Sequence, residues 1–232
     1  KLEDDNKQFT FMVDSIDYHF DINTKRVSKG DSTEKAKKRN NWAGYSPDST
    51  YITYAKNYDL YMMRADDADS TEILLADDGE RWFSYGFDRG DTTKDKRFRA
   101  NVRWFEDESK FYVNRSDSRK VKELFVIDDL SNPRPEVEIY KYAMPGDQDV
   151  PQAYLSIFEV PSKKRIDVDM DKYIDQTVST YLPGKTSDRM FATRMNRTSD
   201  SLDVVSINTA PGAVKELFPD ANYPYFYTGS IH

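Results

Sequence analysis

The sequence predicts an all-β chain, built as a partial β-propeller of about four to five antiparallel blades. Three observations predict it. Short stretches of alternating residues recur, each bounded by Asp, Asn, Ser, Gly or Pro. A larger module of turn, strand, loop and strand repeats along the chain. No stretch carries the apolar spacing of a long amphipathic helix; the best helical candidate, 32–40, is mostly Lys and Arg and reads as a solvated loop.

The modules follow in chain order. The first, about 3–29, carries Phe9-Thr-Phe11, then Asp17-Tyr-His-Phe20, then Arg26-Val-Ser28. The second, about 42–78, reads Trp42-Ala-Gly-Tyr-Ser-Pro-Asp-Ser-Thr-Tyr-Ile-Thr-Tyr54, then Asp59-Leu-Tyr-Met-Met63, then Thr71-Glu-Ile-Leu-Leu75. Pro47 presets φ in its turn, and Asp48 can close an Asx-type turn. The third, about 100–141, repeats it from Val102 to Val113, then Glu123-Leu-Phe-Val-Ile127 and Val137-Glu-Ile-Tyr140. Ile52 aligns with Phe111, and Asp48 with Asp107, at one and the same offset. Strand pairs are expected over about 152–171, and a late copy over about 180–219. A unit of about 40 to 50 residues is the size of one propeller blade. A blade cannot cover both of its faces, so neighbours must stack on it. Two-sheet sandwiches also have many short strands, but they do not repeat internally. The copies are too few to close a ring on their own.

Composition narrows the function. The chain has 232 residues, enough for a real core. Charged residues make up 32%, yet aromatic residues reach 14%, too many for a disordered chain. The net charge of −7 argues against nucleic acid as a partner. With no cysteine, disulfides, thiolate metal sites and cysteine catalysis are excluded. No apolar run approaches the roughly 18 residues of a membrane span. The opening Lys-Leu-Glu-Asp-Asp-Asn-Lys is not a signal peptide, and reads as the interior of a longer chain.

The run Trp42-x-x-Tyr45-Ser-Pro-Asp-Ser49-x-Tyr51-Ile52-x-Tyr54-x-x-Asn57-x-Asp59-Leu-Tyr61 resembles a blade of the N-terminal β-propeller of dipeptidyl peptidase IV-like enzymes. These are serine peptidases of the prolyl oligopeptidase group. Tyr140-Lys-Tyr-Ala-Met-Pro-Gly146, followed by Ala153-Tyr-Leu-Ser-Ile-Phe158, is similar to a segment and strand of that family. Arg115 through Phe125, and Asn132-Pro-Arg-Pro135, look like its Bacteroidetes variant. The resemblance runs from about 3 to 219. It implies a two-part parent enzyme, in which the propeller gates short peptides and a C-terminal α/β-hydrolase domain, absent from this sequence, holds the nucleophile. It also implies a periplasmic or extracellular location, admits a homodimer, and calls for no cofactor.

Three motifs invite chemistry. Trp82-Phe-Ser84-Tyr-Gly86-Phe87 echoes the family's nucleophile elbow, Gly-x-Ser-x-Gly, but Trp82 stands where the first glycine belongs. A triad needs a histidine, and the two in the chain are His19, inside a strand, and His232, the last residue. Ser84 is therefore expected to be part of an inter-blade connection, and no residue is assigned a catalytic role. Dipeptidyl peptidases hold the substrate amine with paired glutamates ahead of a blade turn. Here the matching stretch, 91–99, has no such pair; its Lys94, Lys96, Arg97 and Arg99 could meet a carboxylate, or form a solvated loop. Finally, Asp167, Asp169 and Asp171 suggest calcium, but Lys172 and Val178 stand where an EF-hand loop needs Gly and Glu, so a wet strand face is expected. The substrate-binding residues stay unassigned and no metal site is expected. The leading expectation is a non-catalytic propeller segment of an exported serine peptidase; the alternative is a non-enzymatic propeller binding peptide, protein or glycan.

Overall fold

The computed structural model describes residues 8–13, 16–29, 40–66, 71–86, 96–181 and 186–222. The chain divides into two units, Lys1–Asn40 and Asn41–His232. Among the described residues every regular element is a strand. The candidate helix at 32–40 falls almost wholly outside them.

The first unit holds one antiparallel sheet of β1 (Gln8–Val13), β2 (Ile16–Asp21) and β3 (Arg26–Lys29). Its aromatic residues pair across strands. Phe9 faces Phe20 with ring centroids 5.0 Å apart, and Phe11 stacks on Tyr18 at 5.7 Å. The turn into β3 is closed by Asp21, whose Oδ1 accepts the N–H groups of Asn23 and Thr24.

The second unit contains three larger sheets. In the first, β4 (Gly44–Tyr45), β5 (Tyr51–Lys56), β6 (Asp59–Arg64) and β7 (Ile73–Ala76) lie in chain order, and β8 (Arg97–Phe98) also pairs with β5. The next has the order β14-β13-β10-β9, from β9 (Val102–Trp104), β10 (Lys110–Asp117), β13 (Gln152–Glu159) and β14 (Arg165–Val168). The last runs β15 (Thr177–Tyr181), β16 (Arg189–Met195), β17 (Ser201–Asn208), β18 (Ala213–Asn222). Between β10 and β13, β11 (Glu123–Asp128) and β12 (Glu136–Lys141) form a separate two-stranded hairpin.

This pairing corrects one boundary. Strands expected in separate units, 100–141 and 152–171, share a single sheet, because β10 pairs with β13 over its whole length, from Lys110↔Glu159 to Asp117↔Gln152. A turn closed by Val121 N–H on the Ser118 carbonyl, with Val121 buried, diverts the chain before it can add β11 as the third strand.

The Ser-Pro-Asp turn explains why the repeat recurs. Asp48 Oδ1 accepts from Ser46 Oγ (2.6 Å) and Thr50 N–H (2.7 Å), and these bonds hold its carboxyl well below the usual range. Asp107 Oδ1 repeats the arrangement on Ser109 N–H and Oγ. The residue after each Asp, Ser49 and Glu108, has φ of 63° and 57°. The two turns also touch: Asp48 N–H donates to Glu108 Oε1 at 2.7 Å.

Alternation then stacks the sheets. On β10, Phe111 and Val113 face the first large sheet, packing with Leu60, Met62 and Tyr85. Tyr112 points the other way, into Leu155, Ile157, Met190 and Val205. The middle sheet is thus covered on both faces, the arrangement of consecutive blades. Polar laces reinforce the contact with the last sheet: Lys110 Nζ donates to Thr209 Oγ1 at 2.9 Å, and Ser187 N–H to Asp107 Oδ2 at 3.1 Å. The hairpin is different. Phe125 and Ile139 are register partners, as are Ile127 and Val137, so all four share one face, and all four are exposed.

Candidate functional site

The three large sheets meet around a cavity of about 870 Å³. Its wall begins in the connection between β7 and β8. Gly79 packs so tightly on the Tyr58 carbonyl that a Cβ would lie 2.2 Å from that oxygen; only glycine fits. This fixes Asp78 beside the turn at Asn57 and Tyr58, which itself has positive φ at both residues. Trp82 follows, at φ 71°. A bulky side chain in that backbone region is uncommon and marks a conformation imposed by surrounding contacts. Tyr85 N–H then donates to Tyr58 O at 3.0 Å and closes the loop.

The centre of the wall is Arg115 of β10, 5% exposed. Its guanidinium is sandwiched between the rings of Phe83 and Tyr85, 3.8 and 3.9 Å from their centroids. Nη2 donates to Asp78 Oδ2 at 2.8 Å. Asp78 also receives Tyr85 Oη at 2.7 Å and pairs with Arg165 of β14 at 2.8 Å. Burial works to raise the Asp78 carboxyl, but the bonds from Arg115, Tyr85 and Arg165 bring it down to about 2. Asp78 stays ionised at neutral pH and ties the first large sheet to the second. Burial likewise pushes the Tyr85 hydroxyl up, so it remains a donor. The cavity is also bounded by Tyr154 and Leu155 of β13 and by Gln176 to Val178 at the entry to β15.

Each motif marked in the sequence can now be placed. Ser84 lines this cavity, and its Oγ accepts the Gly86 N–H at 2.9 Å, a local turn bond. His19 lies on β2 in the N-terminal unit, and His232 lies outside the described residues. The stretch 91–99 is described only from Lys96. Arg97 there is committed: it pairs with Glu72 at 2.5 Å and stacks over Trp42 and Tyr54. Lys56 joins the same carboxylate. Burial favours the neutral Glu72, but Lys56 and Arg97 hold it down at about 2. Asp167, Asp169 and Asp171 are exposed while Val168 and Met170 between them are buried. Asp167 Oδ1 accepts from Ser156 Oγ and Arg165 Nε, both at 2.7 Å. Among the described residues no three His, Asp or Glu side chains converge on a cation position.

Asp78 and Tyr58 were not picked out by motif, and Arg115 entered only as the first residue of a family-like segment, without a role. One signal was present: Phe111, Val113 and Arg115 fall on one strand face, so a cation follows two core positions.

Comparisons with known proteins agree with this architecture. Residues 3–228 match the model of the dipeptidyl peptidase IV (DPP IV) N-terminal region. The fold is similar to that of Porphyromonas gingivalis dipeptidyl peptidase 4, with a TM-score of 0.62 at 15% identity over 97% of this chain and 33% of that one. It is also similar to a candidate dipeptidyl aminopeptidase IV from Bacteroides ovatus, with a TM-score of 0.56 at 15% identity over 90% of this chain and 27% of that one. No curated protein matches the sequence. The chain thus spans a third or less of the solved structures it resembles. With a family model covering nearly its whole length and sheets stacked in blade fashion, this chain belongs to the dipeptidyl peptidase IV N-terminal region family and is part of a β-propeller.

Proposed function

We propose that the chain is the non-catalytic propeller segment of an exported serine exopeptidase of the dipeptidyl peptidase IV type. In this reading the parent protein carries a C-terminal α/β-hydrolase domain, and the propeller restricts entry to short peptides and positions them. The observation that carries it is the family match over residues 3–228. The site agrees: its wall offers donors and aromatic surfaces, and Ser84 is engaged in a turn. Location in the periplasm or outside the cell belongs to the same proposal; among the described residues no helix is long and apolar enough to cross a membrane. So does self-association of the parent, with the exposed face of Phe125, Ile127, Val137 and Ile139 laid on its counterpart in a second copy.

The test is made on the parent protein. It should release chromophore from Ala-Pro p-nitroanilide, and alanine at the serine of a downstream Gly-x-Ser-x-Gly should abolish that release. A reading frame that ends without such a domain contradicts the peptidase reading and favours a propeller that binds peptide, protein or glycan.

A further inference from the structure

Residues of β9, β10 and β15 line a second cavity, of about 740 Å³, Trp104 and Tyr181 among them. Asn101 and Asn114 line it too, and they also line the 870 Å³ cavity, so the two spaces meet at this pair. The register explains how the pair is held. β9 pairs with β10 as far as Val102↔Val113, which makes Asn101 and Asn114 the next partners in line. Strand pairing stops there, because the Asn101 N–H turns away to the Tyr85 carbonyl at 3.0 Å. The side chain takes the vacated place: Asn101 Nδ2 donates to the Asn114 carbonyl at 3.2 Å. Asn114 Nδ2 in turn donates to Thr180 Oγ1 at 3.0 Å, and that hydroxyl donates to Tyr112 Oη at 3.0 Å. Each carboxamide is therefore fixed by its amino half.

The carbonyl halves are free. Neither Asn101 Oδ1 nor Asn114 Oδ1 accepts a bond from a described residue. Neither is among the enclosed polar atoms, and both side chains are only half-buried, so a ligand can reach them. Two fixed acceptors on a shared wall call for N–H donors. Charge selects the kind of donor. Arg81, Arg103, Arg115 and Arg197 line the two cavities against one carboxylate, Asp175, which disfavours a cationic amine and leaves a neutral amide N–H. Aromatic surface lies on either side of the pair: Tyr154 in the first cavity is 46% exposed, and Tyr181 in the second 40%. Neutral N–H groups at regular spacing, with side chains for pockets on both sides, describe an extended peptide backbone.

We infer that the two cavities form one cleft for an extended peptide. Asn101 and Asn114 accept its backbone N–H groups at the waist, and its side chains reach Tyr154 on one side and Tyr181 on the other. The inference rests on the reading of the chain as a peptide-positioning segment and names the residues that read the backbone.

The experiment is calorimetric titration of the 232-residue chain with three probes. They are acetyl-Ala-Ala-Ala-Ala amide, the same peptide N-methylated along its backbone, and the same peptide with a free N-terminal amine in place of the acetyl group. The acetylated peptide should bind about tenfold more tightly than its N-methylated counterpart, and at least as tightly as the free amine. Asn101→Ala and Asn114→Ala should each weaken the acetylated peptide about fivefold and leave the N-methylated one unchanged. Tyr154→Ser and Tyr181→Ser, one in each cavity, should each weaken it about threefold. Melting curves confirm that each variant folds, and within each pair, if one does not, the other decides. Equal affinity for the acetylated and N-methylated peptides, binding by the free amine alone, or no binding at millimolar concentration overturns the inference. So does unchanged affinity in the folded asparagine variants or in the folded tyrosine variants. Turnover by the parent protein is independent of these outcomes, so loss of the cleft and loss of the peptidase reading are told apart.

Discussion

On β10, Arg115 continues a stripe that Phe111 and Val113 make apolar. A cation tolerates that position only because Phe83 and Tyr85 cover its faces and Asp78 meets its edge. Asp78 makes this clamp pH-sensitive. Its carboxyl falls from an ordinary 3.8 to about 2 in the folded state. A depressed pKa means that the unfolded chain binds the proton more readily. The stabilisation is therefore complete above pH 4 to 5, and it is lost as pH falls through about 2. Asp78→Asn should cost about 1–2 kcal/mol at pH 7, a value discounted because the side chain is 39% exposed. In urea titrations at a series of pH values, the gap between wild type and variant should close toward pH 2. A gap that persists there would contradict the clamp.

At the scale of elements, two apolar triads have opposite fates. Phe111-Tyr112-Val113 on β10 is buried, whereas Phe125-Val126-Ile127 on β11 is exposed, Phe125 by 61% and Ile127 by 68%. Local sequence cannot separate them, since both alternate and both are bounded by turn residues. The difference lies in distant partners: β10 is paired by β13, while β11 pairs only with β12. That is why strand positions and the Asp48 and Asp107 turns were legible, but the division between units was not. The cavity was legible in part. Ser84 and its neighbours stood out as a motif and do line the wall, but Arg115 and Asp78 come from segments that only the paired sheets bring together. Phe111→Ala should cost about 3–5 kcal/mol in denaturant titrations. The double variant Phe125→Ser, Ile127→Ser should stay within about 0.5 kcal/mol of wild type and shift sedimentation toward the monomer. Destabilisation by the hairpin variant as large as that of Phe111→Ala would show that the hairpin is packed.

Considered whole, the second unit stacks three larger sheets of which the middle one is covered on both faces, with a cavity of about 870 Å³ where the three meet. Stacking is what the repeat required, because an isolated blade leaves its faces bare. The same logic assigns the serine-bearing connection at 81–86 to the wall of the cavity, with Ser84 Oγ bonded to its own loop. The most direct measurement of this account is turnover by the purified 232-residue chain, at high concentration, on Ala-Pro and Gly-Pro p-nitroanilides. The account predicts no release of p-nitroaniline above buffer. Release that disappears in Ser84→Ala would make this chain an enzyme and contradict it.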